Sequence, residues 1–228
     1  VPLMAILYLS MSVIVLVICS DKIPAVFASI ISEAFAPSSG AGVSIWLAMR
    51  WGFARGIFSN EAGLGSAAIA HAAATTENSV EQGMIAMLGP FIDTIVICTM
   101  TALVILVAIP VEAEPSGAAL SAKAFTVILG PIGGNLVAIA MTIFAFTTIL
   151  GWSYYGERCA QFLLGRKVIT PYRIIWVAAI FLGAITEFKT VWVLADIFNG
   201  LMAAPNLIAL SLLSPLVFQA TRDYVSRS

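Results

Sequence analysis

Long uncharged runs alternate along this chain with short clusters of charge, proline and glycine. Residues 2–19 carry no charge. As a helix they extend about 27 Å, close to the hydrocarbon thickness of a bilayer. Asp21, Lys22 and Pro24 end this first segment, and residues 25–43 mix a short apolar stretch with Pro37, Ser38, Ser39, Gly40 and Gly42, which read as a loop. The second segment, about 44–75, breaks the pattern. Arg50, Arg55, Glu61 and His71 stand there among small residues, and its middle runs Gly56-Ile57-Phe58-Ser59-Asn60-Glu61-Ala62-Gly63-Leu64-Gly65-Ser66. Three glycines with Ser59 and Asn60 destabilise a continuous helix and predict a break. A polar turn follows at Glu77 to Glu81.

The third segment, about 84–110, holds one charge, Asp93. Residues 124–156 hold none, and a helix is predicted over 131–156. The fifth segment, 171–189, has only residues 174–186 uncharged and spans only if Arg173 and Lys189 snorkel to the interfaces. The sixth, about 190–218, contains Asp196 and Asn199-Gly200-Leu201-Met202-Ala203-Ala204-Pro205-Asn206. The pattern predicts an all-α integral membrane protein forming one transmembrane domain of about six segments, one of them broken.

Composition agrees. Of 228 residues 61% are hydrophobic and 10% charged, and mean hydropathy is +1.02. A soluble domain of this size has no interior large enough for that excess, so the bilayer is the expected solvent. The net charge of −1 gives nucleic acid no electrostatic footprint. Cys19, Cys98 and Cys159 lie far apart and form neither metal spacing nor a disulfide framework. The chain begins at Val1 and enters an apolar run directly, so it is expected to be a piece of a longer chain. Arg158, Arg166, Lys167 and Arg173 between the fourth and fifth segments place that loop in the cytoplasm. With Arg222 and Arg227, six basic residues then lie inside against Lys22, Lys123 and Lys189 outside. Glu112 and Glu114, in the outside loop after the third segment, count little in this rule.

Two groups of residues carry candidate chemistry. A glycine-rich break at membrane depth frees N–H and C=O groups that lipid cannot satisfy, so it must face protein or a watery cavity. Such breaks bind substrate and ions in secondary transporters; an interfacial stretch with glycines for close packing is the alternative. Glu61 inside the break is either functional or a structural partner of Arg55 or another arginine. Asp93 and Asp196, nearer segment ends, fit hydrogen-bonded structural roles. On the fourth segment Phe144, Thr147, Thr148, Gly151, Trp152 and Tyr155 share one helical face. The hydroxyls of Thr147 and Thr148 with the Phe144 carbonyl offer hard oxygen ligands to a small cation, although threonines in membrane helices also bond their own backbone. Trp152 is suited to wall a pocket or hold an ammonium. His71, the only histidine, cannot build a metal site, and no nucleophile–base pair accompanies it, so an enzyme is not expected. Gly52/Gly56 and Gly130/Gly134 have the small-xxx-small spacing of close helix contacts.

Residues 52–71, from Gly52-Phe53-Ala54-Arg55 to Ala70-His71, resemble the signature of the alanine/glycine:cation symporter family. So do Phe91-Ile92-Asp93-Thr94, Cys98-Thr99-Met100-Thr101, Phe144-Ala145-Phe146-Thr147-Thr148-Ile149-Leu150-Gly151-Trp152 and Asp196 to Asn206, together covering nearly the whole chain. Ala68 stands where the family often has proline. The resemblance implies the second half of a LeuT-type fold of two inverted repeats, working by alternating access and moving alanine or glycine with sodium across the cytoplasmic membrane. The break would be the broken first helix of the second repeat. Substrate contacts are implied at Phe58, Ser59, Asn60, Gly63, Gly65, Thr148 and Trp152, and a sodium site at Phe144, Thr147 and Thr148. Sodium serves as the coupling ion and no cofactor is implied. The missing amino-terminal half is then a partner, and this chain holds about half of a binding site. A channel-like or non-transporting membrane subunit is the alternative.

Overall fold

The computed structural model describes residues 2–34, 43–61, 63–109 and 117–227. Pro37 to Gly42 and the acidic pair Glu112 and Glu114 lie outside them, as does Ala62. Among the described residues every regular element is helical. These are α1 (Pro2–Ile18), α2 (Ile23–Ala34), α3 (Val43–Asn60), α4 (Ser66–His71), α5 (Ser79–Pro90), a π-helical stretch (Phe91–Cys98), α6 (Thr99–Ala108), α7 (Ala118–Leu164), a 3₁₀ turn (Arg166–Val168), α8 (Ile169–Ile185) and α9 (Phe188–Arg227).

Four stretches are long and apolar enough to cross a membrane: Ser79–Ala108, Ala118–Leu164, Arg166–Ile185 and Lys189–Ser226. Pro2–Ile18 with Ile23–Ser32 makes a fifth, if this pair, bent by 96°, is one span. The six segments of the sequence pattern thus reduce to four or five by this measure. Helix α3, whose 18 residues include Arg50 and Arg55, counts in neither case, and α1 counts only as part of the bent pair. Helix α2 stands where a loop was expected. Pro24 is in its first turn, where a missing N–H deprives the helix of no bond.

The chain divides into two compact units, Val1–Trp51 with Ile92–Leu150, and Gly52–Phe91 with Gly151–Ser228. The core of the first joins Tyr8, Met11, Val15 and Cys19 of the α1 side to Val104 and Val107 of α6 and to Phe125 and Val137 of α7. Tyr8 packs tilted on Phe125, ring centroids 5.7 Å apart. Its hydroxyl donates to Thr101 Oγ1 at 2.6 Å, because Thr101 spends its own proton on the Ile97 carbonyl. Gly130 interrupts α7 with φ 72° and ψ −173°, a left-handed conformation that only glycine adopts cheaply, and Pro131 follows it. Across that break Gly134 lies so close to Thr126 that a Cβ would stand 1.9 Å from its Oγ1. Around Gly52 and Gly56, by contrast, a Cβ would meet nothing within 4 Å.

In the second unit Asn78 caps α5, accepting from the Val80 N–H at 2.9 Å. The π-helical stretch starts directly after Pro90. The basic cluster assigned to one loop is distributed differently. Only Arg166 and Lys167 sit in the connection, while Arg158 belongs to α7 and Arg173 to α8. Glu157, 7% exposed, takes two hydrogen bonds from Arg173, at 2.6 and 3.1 Å. This fork closes the hairpin of α7 and α8 and neutralises both charges. Arg158 lies over the Tyr154 ring at 4.8 Å.

Candidate functional site

The broken segment is narrower than its glycines imply. Helix α3 runs through Gly56 to Asn60, and the break occupies residues 61–65 before the six-residue α4. Three residues there are left-handed: Glu61 (φ 52°), Gly63 (φ 78°) and Gly65 (φ 84°). Two side chains tie the break down. Ser66, itself buried, donates its hydroxyl to Glu61 Oε2 at 2.7 Å, bridging the break from its far side. From α9, Asn206 donates Nδ2 to the Gly63 carbonyl at 2.9 Å.

A cavity of about 480 Å³ opens beside this bridge. Gly65 and Ser66 form its break side, Trp152 and Tyr155 of α7 and Trp176 of α8 its aromatic walls, and Met202, Pro205 and Asn206 its α9 side. Trp152 and Tyr155 meet edge to face at 6.0 Å. One side is therefore irregular backbone with amide and hydroxyl groups, and the opposite side is apolar. That arrangement suits a small molecule with a polar head and a short apolar side chain.

Of the implied substrate residues, Gly65 and Trp152 line the cavity, and Gly63 stands in the break one residue before Leu64, which also lines it. Phe58 is engaged elsewhere, packed on Trp192 of α9 with centroids 5.2 Å apart. Ser59 and Asn60 form the last turn of α3. Thr148, with Phe144 and Thr147, belongs to the first unit. There Thr147 donates its hydroxyl to the Phe144 carbonyl at 3.0 Å.

Arg55 pairs with Asp196 and lies over the Trp192 ring at 4.2 Å. Arg55, weighed as a structural partner of Glu61, thus pairs with Asp196, while Glu61 accepts from Ser66. His71 Nδ1 is 2.7 Å from Gln82 Nε2, a contact between α4 and α5. Among the described residues no three His, Cys, Asp or Glu side chains gather as a metal site. Trp176 and Asn206 were not singled out from sequence. For Asn206 a signal existed, since proline and asparagine interrupt an otherwise apolar helix at Pro205-Asn206.

The profile of the sodium:alanine symporter family matches residues 1–228. The chain belongs to that family. Among relatives, a sodium/alanine symporter, AgcS, of Methanococcus maripaludis is 45% identical over 98% of this chain and 50% of its own length. A protein of Haemophilus influenzae described as an uncharacterized transporter is 46% identical over the whole chain and 51% of its own length. A probable sodium/glutamine symporter, GlnT, of Bacillus subtilis is 41% identical over 98% of the chain and 47% of itself. The chain thus spans about half the length of the curated relatives it matches. The chain has apolar helices of spanning length, and three of its left-handed residues fall together in the broken segment among the described residues.

Proposed function

We propose that this chain is about half of a sodium-coupled symporter for small neutral amino acids, alanine or glycine, in the cytoplasmic membrane. The carrying observation is the pinned break at residues 61–65 beside a cavity with aromatic walls. The names of its relatives, sodium/alanine and sodium/glutamine symporters, support the reading. Carbonyls released from helical bonding attract the substrate ammonium, and the Trp152 wall receives its side chain. Sodium is cargo with the substrate and is held by the Phe144 carbonyl and the hydroxyls of Thr147 and Thr148. The Thr147 bond to Phe144 is compatible with that role. It uses the one hydroxyl proton and leaves the lone pairs of Thr147 Oγ1 for a cation. Alternating access in a LeuT-type inverted repeat then needs the other half of the transporter to complete both sites.

The test is uptake of labelled alanine and glycine by liposomes containing the complete transporter, with and without an inward sodium gradient. Uptake is expected only with the gradient. The 228-residue chain alone is expected to give none above empty liposomes. Gradient-independent uptake by the complete protein would overturn the coupling, and uptake by the chain alone would overturn the half-site.

The orientation is tested separately. A cysteine at Lys167, in a background without Cys19, Cys98 and Cys159, is expected to resist membrane-impermeant thiol reagents in intact cells and to react after permeabilisation. Lys167 is preferred to its neighbour Gly165, whose φ of 78° penalises any side chain. Labelling from outside would reverse the topology.

A further inference from the structure

We infer that Asn206 is a positioning residue of the amino-acid site, holding the Gly63 carbonyl in the orientation that receives substrate. The inference rests on the reading of the break and its cavity as that site, and brings α9 into it.

Three contacts place α9 against the break. Asn206 Nδ2 donates to the Gly63 carbonyl at 2.9 Å. Its other amide atom, Oδ1, lies 2.9 Å from where a Cβ on Gly65 would stand, and Leu207 Cδ2 lies 3.5 Å from the corresponding point on Gly63. Both glycines therefore present bare backbone to consecutive residues of α9. Ten and fourteen residues earlier, about 15 and 21 Å along the helix, Asp196 and Trp192 hold Arg55 of α3. The broken segment is thus gripped by the same helix both before its break and within it.

A break of this kind needs such a grip. Glycine adopts left- and right-handed conformations at similar cost, so a segment with Gly63 and Gly65 has several competing paths and its carbonyls several directions. The amide of Asn206 selects one. It is the side chain suited to this, since one end donates to a carbonyl while the other packs in the notch left by a missing Cβ. An aspartate has the same shape but would set oxygen against oxygen. A carbonyl has two lone pairs, so the bond to Asn206 leaves one for a substrate ammonium. Pro205, which also lines the cavity, denies α9 one backbone bond to the preceding turn and loosens the helix beside the grip.

The test uses the complete transporter in liposomes, comparing wild type, Asn206→Asp, Asn206→Ala and Leu212→Met, the last a packing control on the same helix but outside the cavity. Asn206→Asp and Asn206→Ala are each expected to raise the alanine concentration for half-maximal uptake about tenfold or more. The sodium concentration for half-maximal uptake should move less than threefold, about 0.65 kcal/mol, and Leu212→Met should stay at wild type. A purely structural asparagine would lower the amount of folded carrier and the maximal rate together and leave the half-saturation of the surviving carriers unchanged. That outcome in either variant overturns the assignment. Should Asn206→Asp not accumulate, Asn206→Ala, which buries no charge, decides alone. Wild-type liposomes without sodium-dependent uptake would instead refute the functional reading. An active wild type with unshifted variants refutes only the role of Asn206.

Discussion

Gly65→Ala is expected to lower sodium-driven uptake by the complete transporter at least tenfold at equal surface level. The residue has φ 84°, where an L side chain costs about 1–2 kcal/mol. The new methyl would stand 2.9 Å from Asn206 Oδ1, closer than Cβ contacts tolerate. Asn206 can withdraw only by giving up its bond to the Gly63 carbonyl, about another 1 kcal/mol. Together these reach about 2–3 kcal/mol, and about 1.4 kcal/mol is tenfold. Gly83→Ala is the control. It lies within α5 with nothing within 4 Å of its added Cβ, and alanine there favours the helix by about 1 kcal/mol. It should transport as wild type. Wild-type uptake by Gly65→Ala would mean that the break tolerates a side chain and does not shape the site.

The second large effect concerns sodium. Valine at position 147 or 148 keeps the shape of threonine and removes the hydroxyl. If the hydroxyls only bond their own helix, as Thr147 does with the Phe144 carbonyl, the loss is local, about 0.5–1.5 kcal/mol of stability, with sodium dependence unchanged. If they are ligands, each variant should raise the sodium concentration for half-maximal alanine uptake about tenfold or more. Trp152→Ala should instead raise chiefly the alanine concentration required, because Trp152 walls the cavity. The measurement is sodium-dependent uptake with surface level checked. Unchanged sodium dependence in both valine variants would leave this face of α7 a packing surface.

Spanning helices were legible because hydropathy adds residue by residue and needs no partner. The position of the break was legible too, but not its extent. Gly56 reads as part of the break, yet it sits in regular helix, because a glycine costs a helix only about 1 kcal/mol while unpaired backbone in lipid costs several. A chain therefore breaks where backbone can be re-satisfied, and that depends on neighbours. Helix α2 was missed because Pro24 looks like a stop and is equally at home in a first turn. Arg158 and Arg173 were read as loop residues because charge resembles solvent exposure. The fork between Arg173 and Glu157 shows how a charge enters a helix of a hairpin instead.

What the sequence by itself determined was the class of molecule: an α-helical chain of apolar runs, a family signature, and a break supplied with glycine, serine and asparagine. Those properties are local, and each is carried by residues within a few turns of one another. What only the tertiary structure decided was which partner completes each local irregularity. Arg55 and Asp196 are 141 positions apart, and Gly63 and Asn206 143. Glycine permits many backbone paths through residues 61–65 and favours none of them. One path is selected by a hydrogen bond from a distant helix, so the geometry of the site depends on contacts that no local pattern encodes.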